Sequence, residues 1–181
     1  TAKKTTEELG KIDDFDEQEK ERLFNMISLG ALKYFILKVD PKKTMLFNPE
    51  ESIDFNGNTG PFIQYTHARI RSLFRKATEK GKVILDNSVP AEVSAKEKHL
   101  LKLLYDFPAV VAEAGADYSP ALIANYVYDL AKEFNQFYQE VPVLREENDV
   151  LVTFRLELSG FVGRVIKSGM DLLGIEVPER M

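Results

Sequence analysis

Between His67 and Lys82 the chain carries Arg69, Arg71, Arg75, Lys76, Lys80 and Lys82 against the single acid Glu79, a local charge of +5 (six basic minus one acidic) in a chain of formal net charge −5. Guanidinium groups meet phosphates bidentately. Tyr rings and Arg planes stack on unpaired bases. With Tyr65 and Gln64 beside it, this basic stripe has the residue types that contact with RNA requires. A solvated basic helix face has the same composition, and pattern alone favours that plainer reading. A second concentration follows: Tyr118, Tyr126, Tyr128, Phe134, Phe137 and Tyr138. Tyr126, Phe134 and Phe137 share one apolar stripe and belong to a core, which leaves Tyr128 and Tyr138 for the surface.

Signatures of bond chemistry are missing. The chain has no Cys, which excludes disulfides, thiolate zinc sites and a Cys nucleophile. A zinc site would have to combine both histidines, His67 and His99, with carboxylates. Gly57-Asn58-Thr59-Gly60 is too short for a phosphate-cradling loop and lacks its lysine. Glu50-Glu51 and Glu146-Glu147 are adjacent acids on polar segments, where a solvated surface is the simpler reading. Gly160 and Gly163 interrupt a helical pattern and predict close helix packing.

The elements that would position these residues are helical. At 181 residues, 44% hydrophobic and 29% charged, the chain can bury a core and stay soluble. It holds no apolar run near the roughly 18 residues that span a membrane. It starts without Met and without a secretory h-region, so we read it as a piece of a longer protein, with residues 1–22 a charged helix or linker. Apolar residues recur at helical spacing over 23–39, and Pro41 stops that run. Residues 45–58 read as an irregular loop. Asn58 or Thr59 caps the next helix, Pro61 suits its first turn, and Gly81 closes it. In that helix Phe62, Thr66, Ile70, Leu73 and Ala77 face inward. Gln64, His67, Arg71 and Arg75 take another face, flanked by Tyr65, Arg69 and Lys76. Ser94 with Glu97 forms a capping box for a helix that Pro108 kinks or restarts and Gly115 ends. Ser119-Pro120 opens a helix that Pro142 ends, with Leu122, Tyr126, Leu130, Phe134 and Phe137 inside. The last helix covers 149–174 and buries Leu158, Phe161, Val165 and Leu172. The expected fold is an all-α bundle of about five to six helices with antiparallel neighbours.

Three separated stretches carry a resemblance. Phe47-Asn48-Pro49-Glu50-Glu51-Ser52-Ile53 and then Gly57-Asn58-Thr59-Gly60-Pro61-Phe62-Ile63-Gln64-Tyr65-Thr66-His67-Ala68-Arg69-Ile70 form the first, with Gly30-Ala31-Leu32-Lys33-Tyr34 ahead of it. Ala124-Asn125-Tyr126-Val127-Tyr128-Asp129-Leu130-Ala131 and Phe134-Asn135-Gln136-Phe137-Tyr138 form the second. Gly169-Met170-Asp171-Leu172-Leu173-Gly174-Ile175 with Pro178-Glu179-Arg180-Met181 form the third. In this order they resemble the C-terminal anticodon-binding domain of arginyl-tRNA synthetases, over residues 23–181.

The resemblance implies a class I arginine–tRNA ligase that uses ATP and magnesium in a catalytic domain ahead of residue 1. Neither ATP-handling motif of the family occurs in this sequence. It implies a cytoplasmic, monomeric enzyme whose partners are its own catalytic domain and the anticodon loop of an arginine-accepting tRNA. The division would be 1–22, a connecting 23–57, and an anticodon-binding bundle at 58–181. Residues near the anticodon would be Phe62, Tyr65, Arg69, Tyr138 and Met181; the basic stripe, read from the residues themselves, adds Arg71 and Arg75 as RNA contacts. No residue would be catalytic or bind metal, and the chain alone would be inactive. The family often has Tyr where Phe62 stands, so the hydroxyl's role has no counterpart here. The competing reading is a helical protein-interaction domain that keeps the fold without RNA binding, in line with the net charge of −5.

Overall fold

The computed structural model describes residues 15–46, 48–82 and 90–181. Among them are six α-helices and no strand: α1 Glu17–Leu37, α2 Pro49–Ser52, α3 Gly60–Glu79, α4 Ala95–Ala116, α5 Pro120–Glu140 and α6 Asp149–Leu172. The all-α bundle predicted from the sequence is the fold observed.

Helix starts follow local chemistry. Asp16 and Glu19 form a reciprocal capping box that starts α1 six residues ahead of the predicted run at 23, so the charged stretch enters the helix. The rest of that stretch, 1–14, lies outside the described residues. Within the predicted loop 45–58, Asn48 caps the single turn α2, with Pro49 at its first position. Thr59 Oγ1 accepts from the Phe62 amide at 3.2 Å and starts α3. Ser94 and Glu97 cap α4 reciprocally. The β-branched Val150, Val152 and Thr153 lie in the first turns of α6, where Asn148 Oδ1 accepts from Val150 N and Leu151 N.

Pro108 sits inside α4 without restarting it, and the expected end at Gly115 needs correction, since the helix runs on to Ala116. The chain leaves α4 through Tyr118, whose φ of 52° is left-handed. There the Ser119 amide reaches back to the Ala114 carbonyl at 2.9 Å, as a Schellman turn requires. Tyr118 is 89% exposed.

The core gathers Ile63, Ile70 and Leu73 of α3 with Ala124, Val127, Leu130, Phe134 and Phe137 of α5 and Leu156, Val162, Ile166 and Met170 of α6. The buried face of α6 differs from the expected one: Leu158 is buried, Val165 is intermediate, and Phe161 and Leu172 are exposed. The inward stripe runs instead through Leu156, Ser159, Val162, Gly163, Ile166, Gly169 and Met170. Small residues set that phase. A Cβ on Gly163 would lie 3.1 Å from Ile70 Cγ2, and one on Gly169 would clash with Val127 Cγ1. Likewise a Cβ on Gly60 would lie 2.6 Å from the Gly30 carbonyl oxygen, so α3 begins directly against α1. Tyr34, fully buried, places its hydroxyl 2.6 Å from Asn58 Oδ1 and 2.9 Å from the Ala124 carbonyl. That polar contact ties α1, the turn before α3, and α5 together, and burial pushes the phenol's pKa up.

Candidate nucleic-acid interface

Phe62, Tyr65 and Arg69 are spaced three and four residues apart on α3 and form one ridge. All three are partly buried. α5 lies alongside and contributes Tyr128, Asn135 and Tyr138. The rings of Phe62 and Tyr128 meet at 5.4 Å. The Arg69 guanidinium lies 4.9 Å from the Tyr65 ring centroid and 5.6 Å from that of Tyr138. Asn135 Oδ1 accepts from Arg69 Nη1. The Asn135 amide donates to Thr66 Oγ1 at 2.8 Å, and that hydroxyl donates to the Phe62 carbonyl at 2.9 Å. An Arg held between two aromatic rings by a bonded amide is a pre-organised cation and stacking surface.

On the other side of Tyr65, Phe55 approaches edge-on at 6.3 Å. Phe55, Phe15, Phe24 and Met181 pack on Leu23 and Ile27 in a small satellite cluster. Met181 thus shares a cluster with Phe55, the ring that meets Tyr65.

Arg71 and Arg75 stand elsewhere. Residues 174–181 lie along α3, and both arginines engage them: Arg71 pairs with the Glu179 carboxylate, and Arg75 Nη1 donates to the Glu179 carbonyl at 3.1 Å. The same segment covers the residues expected on the Arg71 face. Gln64 is 0% exposed and donates to the carbonyls of Met26 at 3.2 Å and Glu176 at 2.8 Å. His67 is buried, its Nδ1 2.9 Å from the Pro178 carbonyl. Burial lowers the His67 pKa, so its neutral form, with Nδ1–H donating, fits this contact. Gln64 and His67 are therefore core residues that hold the chain's last segment, because that segment supplies the cover a lone helix lacks.

The sequence reading missed Asn135 and Phe55. A polar residue at position i+4 of a core stripe signals Asn135. No local signal marks Phe55.

A family model, the DALR anticodon binding domain, matches residues 63–181. The chain belongs to that family. Over its whole length this DALR domain is 59% identical to the arginine–tRNA ligase of Phocaeicola vulgatus and 55% identical to that of Flavobacterium psychrophilum, covering 30% of each relative. It is similar to the solved arginyl-tRNA synthetase of Thermus thermophilus, at 34% identity and a TM-score of 0.87, over 99% of this chain and 30% of that one. The Plasmodium falciparum arginyl-tRNA synthetase gives a TM-score of 0.81 at 27% identity, over 99% of this chain and 31% of that one. The chain thus spans under a third of each of these relatives. The matched region of the DALR domain takes in Tyr65, Arg69, Asn135, Tyr138 and Met181, while Phe62 lies just ahead of it.

Proposed function

We propose that this domain binds the anticodon loop of an arginine-accepting tRNA and serves as the anticodon-binding part of an arginine–tRNA ligase. The observation that carries this reading is Arg69 poised between the rings of Tyr65 and Tyr138. Splayed anticodon bases stack on Tyr, at about 1–3 kcal/mol per base, while the guanidinium edge reaches a phosphate or base. Phe62 extends the apolar surface without a hydroxyl, and Met181 adds a soft contact beyond Phe55.

The domain supplies orientation: holding the anticodon fixes where the far end of the tRNA lies. In this reading residues 58–181 form the reader, 23–57 connect it, and 1–22 lead from the catalytic portion of the full-length enzyme. ATP and magnesium act in that portion. Among the described residues no three metal-ligating side chains gather, and this chain by itself activates no arginine. Leu29, Leu32 and Ile36 form an exposed apolar stripe on α1 that suits docking of the remainder of the enzyme. In this reading the full-length enzyme is a cytoplasmic monomer. Among the described residues no helix is long and apolar enough to cross a membrane.

The test is titration of an arginine-tRNA anticodon stem-loop into this chain at low salt, beside a loop whose central anticodon cytosine is replaced. We expect a preference for the native loop of about tenfold or more, the value of one lost base contact. Equal binding would reduce the site to an unspecific basic patch. No binding to either loop would favour a protein-interaction role for the bundle.

A further inference from the structure

Beyond Tyr138 the surface falls into a groove of about 430 Å³ between the end of α3 and the turn that follows α5. Lys76 lines it from α3 and Lys80 from that helix's C-cap, Tyr138 and Glu140 from α5, and Pro142 and Arg145 from the turn. Tyr138 forms the wall shared with the Arg69 site. The other basic residues nearby are engaged: Lys82 pairs with Asp149 at 3.0 Å, Lys96 with Glu140 at 3.3 Å, and Arg71 with Glu179. Among the described residues Lys76, Lys80 and Arg145 form no ion pair, and all three are exposed. The acid of the groove, Glu140, is the one taken by Lys96.

We propose that this groove carries the sugar–phosphate backbone of single-stranded RNA on one side of the base that stacks at Tyr138. The inference rests on the anticodon-loop reading and adds a second contact region to it. Three cations converge on one concavity beside a stacking ring, the combination by which proteins track an unpaired strand. Lys76 and Lys80 sit at the carbonyl end of α3, where a cation is stabilised without any ligand. Arg145 lies on a turn outside any helix, so the helix dipole does not account for it. Its planar fork suits a phosphodiester.

The groove also reassigns the phosphate contacts. Arg71 and Arg75, expected from the sequence to meet RNA, are committed to residue 179. Among the described residues that line the groove, Lys76, Lys80 and Arg145 are the cations free to neutralise phosphates.

The experiment measures stem-loop affinity against salt for the wild type and for the exposed-surface variants Arg145→Gln and Lys76→Gln/Lys80→Gln/Arg145→Gln, with circular dichroism as the check on folding. Each lost phosphate contact on a single strand flattens the log–log slope by about 0.7. We expect a change of about 0.7 for Arg145→Gln and about 2 for the triple variant. A methylphosphonate scan of the loop then identifies the linkage: at one position, removal of the phosphate charge abolishes the difference between wild type and Arg145→Gln. Wild-type binding with unchanged slopes in the variants overturns the groove and leaves the Tyr65–Arg69–Tyr138 reading standing. Flattened slopes with no coupled linkage also overturn it, since they reflect only the general field of the surface. A wild type that binds no stem-loop overturns both.

Discussion

Asn135 holds Arg69 from across the helix interface, its side-chain oxygen accepting from the guanidinium while its amide donates to Thr66 Oγ1 at 2.8 Å. The amide has one orientation, because reversal would set its donors against those of Arg69. Asn135→Ala frees the Arg69 side chain to sample rotamers. We expect stem-loop affinity to fall about tenfold, the value of one charge-assisted hydrogen bond. Isothermal titration with the native loop checks this, and unchanged affinity would show that the two tyrosines alone orient Arg69.

His67 makes stability depend on pH. Burial lowers its pKa in the folded chain, whereas the unfolded chain titrates near 6.5. The folded state therefore binds fewer protons below that value. The stabilisation is whole above about pH 6.5 and is lost as pH falls toward the depressed folded pKa. Thermal melts at pH 7.5 and 5.5 should show a drop for the wild type, and a smaller one for His67→Asn. An equal drop in both would place the acid sensitivity elsewhere.

Arg155 and Glu97 form a buried ion pair, Nε to Oε1 at 2.7 Å, with side-chain exposures of 10% and 1%. Arg155 also reaches Glu146 at 2.8 Å and the Pro142 carbonyl at 3.1 Å, fastening the turn that carries Arg145. Burial pushes the Glu97 carboxyl up, but the hydrogen bonds from Arg155 and Ser94 outweigh it and hold the pKa below its ordinary value. Glu97→Ala leaves a buried guanidinium half-paired and removes the cap partner of Ser94. Urea unfolding should show a loss of about 3–5 kcal/mol. A loss below about 1 kcal/mol, the range of a surface pair, would mean that the existing pair with Glu146 is enough to hold the arginine.

These cases show where the sequence was legible. Caps and prolines are local signals, so Ser94 with Glu97 marked the start of α4 and Thr59 with Pro61 the start of α3. The ridge of Tyr65 and Arg69 was visible in helical spacing once the family resemblance drew attention to it. Destinations of long side chains were not visible. Glu179 lies 108 positions from Arg71, and nothing near either residue announces the pair. Nor was the phase of α6 readable, because Leu158, Phe161, Val165 and Leu172 make as good an apolar stripe as the true one. The choice was made by Gly163 and Gly169, whose missing side chains admit Ile70 and Val127.

Gly169→Ala tests that account. The added methyl would clash with Val127 Cγ1, on a packed β-branched side chain that has few alternative rotamers. Overpacking of this kind costs about 1–3 kcal/mol. Val127→Ala in the same chain should recover part of the loss, a coupling that a double-mutant cycle in urea isolates. Gly115→Ala is the contrast: nothing lies within 4 Å of its added Cβ. There the gain in helix propensity should stabilise by up to about 1 kcal/mol. Additive effects at 169 and 127 would mean that glycine does not set the α5–α6 spacing.

Glu179→Gln separates two roles for Arg71 by the sign of its effect. If Arg71 were an RNA phosphate contact restrained by Glu179, removal of the carboxylate would free it and strengthen stem-loop binding. The contacts observed point the other way. Gln64, His67, Arg71 and Arg75 together hold residues 176–179, and this segment carries Met181 into the cluster that supports Phe55 against Tyr65. Weakening it should loosen one side of the ridge. We expect Glu179→Gln to lower affinity about threefold to tenfold, with faster hydrogen exchange confined to residues 174–181. Glu179→Asp, which keeps the charge on a shorter arm, should restore part of the affinity. Tighter binding by Glu179→Gln would return Arg71 to the set of residues that touch RNA.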